Sequence, residues 1–95
     1  MAAYLIGDVV VNDPTVYEQY RAQVPALIRK HGGEYLVRGG ALEVIEGSWK
    51  PRRLVVLRFP DRAAAQAFLN DPEYRPLKEL RHRAARTDLV LVAGV

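Results

Sequence analysis

The segment Leu54-Val55-Val56-Leu57 carries no polar residue, and neither does Leu89–Ala93. Extended chain turns successive side chains to opposite sides, so a strand that is apolar throughout needs cover on both faces. Residues 4–11 repeat the pattern with one exception. Leu5, Gly7, Val9 and Val11 share one face, while Tyr4, Ile6, Asp8 and Val10 share the other. A chain of 95 residues has room for one core, so it is expected to form a single domain over residues 1–95. It must still find cover for both sides of these strands.

Helices supply one cover. Asn12-Asp13-Pro14 stops the first strand and starts a helix, with Asp13 placed to cap it and Pro14 suited to the first turn. Val16, Tyr17, Tyr20, Val24, Leu27 and Ile28 form one apolar stripe to about Lys30, and His31 projects onto the middle of that stripe. Pro25 projects to the opposite side and predicts a bend. Gly32-Gly33 ends the helix. A second helix runs from an Asp61 cap to about Leu69, anchored by Phe68 and Leu69. Asn70-Asp71-Pro72 repeats the start signal and opens a further helical segment to about Arg86. Leu77, Leu80 and Ala84 face inward there, with Tyr74 at the edge and Arg81 in the same arc. Arg75, Glu79, His82, Arg83 and Arg86 point outward.

Between the helical regions, residues 34–46 read as a strand interrupted by Gly39-Gly40. A glycine bulge or kink within one long strand is preferred to a two-residue hairpin turn. A loop follows, then a strand over residues 53–59. The order strand, helix, strand, strand, helix, strand is α+β and ferredoxin-like: one antiparallel βαββαβ sheet with its helices on one face. The other face is left for a second copy of the chain. The expected assembly is a homodimer packed sheet to sheet, a dimeric α/β barrel.

Composition narrows the chemistry. There is no cysteine, which excludes disulfides and thiolate metal sites. Asp8 interrupts the apolar stretch near the N-terminus, so no secretion signal is expected. No apolar run approaches the roughly 20 residues of a membrane span. The expected location is the cytoplasm, without membrane association. A net charge of +3 could favour acidic ligands. It comes without the dense basic stripe or aromatic interleaving that nucleic-acid binding needs. There is no glycine-rich phosphate loop and no nucleophile elbow.

Arg38 beside Gly39 and Gly40 is the sharpest local signal. A guanidinium can grip a carboxylate bidentately while bare backbone comes close. The alternative is an ion pair with Glu34 or Glu46. His31, inward on its helix, could act as a general base or interact with the last helical carbonyls. Asp8, isolated in an apolar strand, is either an inward acid, paired with Arg38, Arg53 or Arg81 or able to carry a proton, or a polar residue at the sheet edge. Tyr20 and Tyr35 are expected near the core, Trp49 against a flat ligand or the dimer mate, and Arg81 near an anion, or one of the chain's acids, that offsets its burial. Two distant histidines without a carboxylate at metal spacing argue against a bound metal, and no cofactor is expected.

Together these residues describe a pocket between sheet and helices, lined by Tyr20, His31, Tyr35, Arg38, Trp49 and Arg81. It would take a small, anionic, partly apolar molecule. Two other readings stay open. One is a cofactor-independent oxygenase or isomerase, in which His31 or Asp8 moves a proton and Arg38 stabilises enolate charge. The other is a structural or interaction dimer without ligand.

The set Tyr20, Gly33, Leu36-Val37-Arg38-Gly39-Gly40, Glu46-Gly47, Arg53, Phe59-Pro60, Pro72-Glu73-Tyr74 and Arg81 resembles a bacterial family known only as domain of unknown function 1330. The resemblance covers nearly the whole chain, and Arg-Gly-Gly followed by Glu-Gly is its most specific part. It implies the ferredoxin-like dimer of the α/β-barrel group, whose related families include small oxygenases, isomerases and haem-handling proteins. Two positions depart from the family pattern: Arg58 stands where an acid usually precedes the aromatic, and Ala93-Gly94 where the pattern often has Glu-Gly.

Overall fold

A computed structural model describes residues 1–95. Seven elements follow in order: β1 (Ala3–Val11), α1 (Pro14–Lys30), β2 (Glu34–Arg38), β3 (Leu54–Phe59), α2 (Arg62–Leu69), α3 (Tyr74–Ala84) and β4 (Ala85–Ala93). The strands form one antiparallel sheet in the order β2-β3-β1-β4. This is the ferredoxin-like α+β fold, with the second crossover divided into two helices. α1 packs on α3, and α2 lies against β1 and β3.

Register sorts the side chains by face. Leu5, Gly7 and Val9 of β1 lie beside Leu57 and Val55 of β3 and beside Leu91, Leu89 and Thr87 of β4. These point toward the helices. Leu5, Val24, Ile28, Leu57, Phe59 and Phe68 close the main core there. Phe68 stacks on Phe59 at 5.5 Å and meets Tyr74 at 4.5 Å between ring centroids.

The opposite face presents Tyr4, Ile6, Asp8 and Val10 beside Val56, Val90 and Val92, with no helix over them. Val90 is 57% exposed and Val92 45%. The Cα envelope measures 35 × 33 × 16 Å, so its thinnest dimension is one sheet and one helix layer, which lie about 10 Å apart.

Local signals account for most element ends. Asp13 accepts a hydrogen bond from the Val16 amide at 3.2 Å, and Asp61 accepts one from the Ala64 amide at 2.8 Å. At the end of α1, Gly32 takes φ +76°. Its amide reaches the Arg29 carbonyl, while the Gly33 amide reaches that of Ile28, a Schellman closure.

Three expectations need correction. First, Gly39-Gly40 lies neither inside a long strand nor in a hairpin turn. β2 ends at Arg38, its irregularity falls at Leu36, and residues 40–53 form no regular structure. Gly39 takes φ +69° with the Arg53 guanidinium where its Cβ would stand, so this glycine ends the strand and makes room for an arginine. Second, Asp71 does not cap α3 as Asp13 caps α1. Its side chain accepts from the Glu73 amide at 2.9 Å in the α2–α3 turn. Third, β4 starts at Ala85, four residues before the apolar run, because β1 pairs with it along its full length.

Candidate functional site

A partly open cavity of about 60 Å³ lies between the sheet and the helices. On the scale where roughly 10–15 Å³ holds one water, it is room for a small molecule's head. Gly7 forms part of its floor. A Cβ there would meet Leu89 Cδ1 at 3.4 Å, so the missing side chain leaves space between two strands of larger residues.

The walls are tyrosines and arginines. α1 contributes Tyr17, Tyr20 and Arg21, β2 contributes Tyr35 and Arg38, and α3 contributes Tyr74 and Arg81. Arg53 enters from the residue just before β3. The remaining lining is apolar apart from Thr87, and no Asp, Glu, His or Lys is among it.

Arg38 and Arg53 are held by rings and a carbonyl instead of acids. Arg38 stands 4.5 Å over the Tyr35 ring and donates to the Arg21 carbonyl at 3.0 Å. Arg53 lies 5.6 Å from the Tyr17 ring centroid. Such cation–π contacts orient a guanidinium without neutralising it. Arg81 is 7% exposed. Neither it, Arg38 nor Arg53 has a carboxylate at ion-pair distance, and Arg21 meets only the exposed Glu18 at 3.3 Å. The Nε atoms of Arg21 and Arg53 and the Thr87 hydroxyl are buried without a partner. Glu34, a possible mate for Arg38, instead pairs with Arg58 at 3.5 Å on the open sheet face.

The Tyr20 and Tyr35 hydroxyls stay protonated. Tyr20 and Tyr74 share a hydrogen bond of 3.3 Å. Burial, then the neighbouring Tyr74, raises the Tyr20 hydroxyl far above the usual phenol range, and Arg81 only partly opposes this. Burial also raises Tyr35, against the pull of Arg38. These groups are hydrogen-bond donors near neutral pH.

The expected site residues therefore divide among three places. Tyr20, Tyr35, Arg38 and Arg81 meet at the cavity. His31 does not join them. Its Nε2 lies 2.7 Å from Asp71 Oδ2, and its ring edge faces Phe68. It projects from the C-terminal cap of α1, past the last turn that carries the stripe over the cavity. Asp8 and Trp49 meet on the opposite sheet face, where the Trp49 Nε1 donates to Asp8 at 3.0 Å and the Arg52 amide at 3.2 Å. The even-numbered parity of Asp8 in β1 dictates that side. Gly39 and Gly40 adjoin Arg38 without lining the cavity. The expected pocket is thus corrected at His31 and Trp49, and Asp8 does not share a cavity with Arg38.

Arg21, Arg53, Tyr17 and Tyr74 also line the cavity, and none of the four was foreseen as a site residue. A helical projection could have found Arg21, which falls about 40° from Tyr17 on α1. Strand parity could have found Arg53, which alternates in phase with Val55, Leu57 and Phe59.

No three His, Asp or Glu side chains come together as metal ligands, and no helix is long and apolar enough to cross a membrane. Solved structures share the fold at low sequence identity. A protein of unknown function from Rhodopseudomonas palustris matches with a TM-score of 0.77 and 18% identity, over 99% of this chain and 82% of that one. A dimeric ferredoxin-like protein of unknown function from Jannaschia sp. CCS1 matches with a TM-score of 0.72 and 13% identity, over 99% and 100%. SnoaB, a cofactor-independent oxygenase from Streptomyces nogalater, matches with a TM-score of 0.65 and 15% identity, over 99% and 93%. No curated protein matches the chain. The family model for the Domain of unknown function (DUF1330) matches residues 2–95, and the chain belongs to that family.

Proposed function

We propose that this protein is a cytoplasmic homodimer that binds a small, anionic, partly apolar molecule in the cavity between sheet and helices. One observation carries the reading: Arg81 is almost wholly buried at a cavity whose lining has four arginines and no carboxylate. A buried guanidinium is costly without a counter-charge. A bound acid supplies that charge, and the tyrosine walls take its apolar body. Pairing through the apolar sheet face is supported by a structural neighbour described as dimeric.

Thermal unfolding with a panel of small aromatic and aliphatic acids tests the binding reading. A ligand that prefers the folded state at about 100 times its Kd stabilises it by roughly 2.7 kcal/mol. Arg38→Ala should remove most of that shift while keeping the fold, since Arg38 is exposed and holds no protein acid. If no acid raises Tm, the reading fails.

A second reading is cofactor-independent oxygenation or isomerisation. Its support is the fold shared with SnoaB and the donors Tyr20, Tyr74 and Arg81, which are suited to an oxyanion. His31 and Asp8 lie outside the cavity, so this chemistry would rest on the arginines and tyrosines. Oxygen uptake that is lost in Tyr20→Phe while binding persists would favour it.

A further inference from the structure

We infer that the cavity selects dianions: a small molecule whose head, seated in the cavity, bears two negative charges, in preference to a monoanion of similar size. The inference rests on the acid-binding reading above and goes one step further, to the charge of the ligand.

Arg38, Arg53 and Arg81 border one small cavity and none has a protein carboxylate. Arg21 has one acid, the exposed Glu18 on its own helix. A single carboxylate occupies one guanidinium bidentately. At least two other positive charges at the same cavity would then still lack a counter-charge. A second negative charge supplies one and gives the remaining donors an acceptor. Unpaired donors lie in the residues of the cavity wall: the Nε atoms of Arg21 and Arg53 and the Thr87 hydroxyl are buried without a partner. Four tyrosine rings in the lining offer apolar surface to the rest of the molecule.

Phosphate monoesters and dicarboxylates share this charge, and pH separates them. The titratable residues facing the cavity are Tyr17, Tyr20 and Arg21 from α1, Tyr35 and Arg38 from β2, Arg53 from the chain entering β3, and Tyr74 and Arg81 from α3. β1, α2 and β4 add none. Arginine and tyrosine do not change charge between pH 5 and 7. A phosphate monoester does, with a second ionisation near pH 6.

Isothermal titration of the full chain at low salt, with benzoate, isophthalate and phenyl phosphate, tests the inference. At pH 7 at least one of the two dianions should bind tenfold or more tightly than benzoate. Arg38→Gln and Arg53→Gln should each shrink that ratio. If phenyl phosphate is preferred, its affinity should fall severalfold at pH 5 while that of benzoate holds. Preference for isophthalate alone identifies a dicarboxylate site. Benzoate binding within threefold of both dianions would overturn the inference and leave the acid-binding reading standing. Failure of all three acids to bind at millimolar concentration would overturn both.

Discussion

Arg81 poses the sharpest energetic problem among the single residues. Helix α3 reads as an ordinary amphipathic segment except at this position, where a guanidinium takes the place of a core side chain. Its neighbours Tyr20 and Tyr74 offer hydroxyls but no charge. Breaking a buried ion pair is destabilising, whereas an apolar side chain of similar volume in place of buried charge is often neutral or stabilising. Arg81→Met is therefore expected to raise stability by about 1 kcal/mol, roughly 4–8 °C in Tm at this chain length, while abolishing stabilisation by acids. A calorimetric scan with and without ligand measures both effects. Destabilisation in the absence of ligand would mean that Arg81 already has a sufficient partner within the protein. Residues kept for function at a cost in stability are expected to show this opposition.

At the scale of elements, Asp71 joins the end of α1 to the α2–α3 turn. One carboxylate takes His31 at 2.7 Å, Lys30 at 3.0 Å and the Glu73 amide at 2.9 Å. The His31 hydrogen bond, then the Glu73 amide and Lys30, holds the carboxyl down at about 2. The unfolded chain binds this proton near pH 4, so Asp71 favours folding above that pH. Its contribution is lost as pH falls from about 4 toward 2. Lys30, raised chiefly by its hydrogen bond to Asp71, favours folding up to its unfolded value near 10.4 and loses this only above it. Asp71→Asn should lower stability at pH 7 and flatten the loss between pH 4 and 2, as urea unfolding across that range would record. An unchanged acid limb would show that the join contributes nothing.

This join also marks how far the elements were legible in the sequence. Helix periodicity correctly turned His31 inward, yet periodicity is blind to position along the axis, and His31 sits beyond the last turn. Its partner lies 40 residues away, a separation that no local pattern encodes. Caps at Asp13 and Asp61, the Gly32-Gly33 stop and the strand parities were legible because a neighbouring amide or an alternation decides them. Gly39 was misread for the opposite reason. What calls for a glycine there is its φ of +69°, and the room it leaves is taken by the Arg53 guanidinium, 14 residues further on.

For the whole molecule, the unresolved balance is the bare sheet face. Ile6, Val56, Val90 and Val92 form a contiguous apolar strip across β3, β1 and β4. Residues 40–53 also expose Leu42, Val44, Ile45 and Trp49, of which Trp49 reaches this face through Asp8. Asp8 fixes that segment by holding both the Trp49 indole and the Arg52 amide. Contiguous exposed apolar surface of this kind marks an interface. A second copy would bring the same strip in an isologous arrangement, and a stable pairing of this type buries about 1,200 Å² or more. The strip is also a continuous part of the sheet that floors the cavity, so pairing would hold Gly7 and its neighbours in place from behind. Sedimentation at micromolar concentration should give twice the 10.7 kDa chain mass, with a Tm that rises with concentration. Val90→Lys places a charge at the centre of the strip, opposite Ile6, and should yield monomers of lower Tm, since like charges would meet across the symmetry axis. Asp8→Asn separates the two parts of the surface: it should weaken pairing only if the segment held by Trp49 contributes to it. A wild-type monomer whose Tm is independent of concentration would exclude the dimer and leave the apolar strip without an explanation.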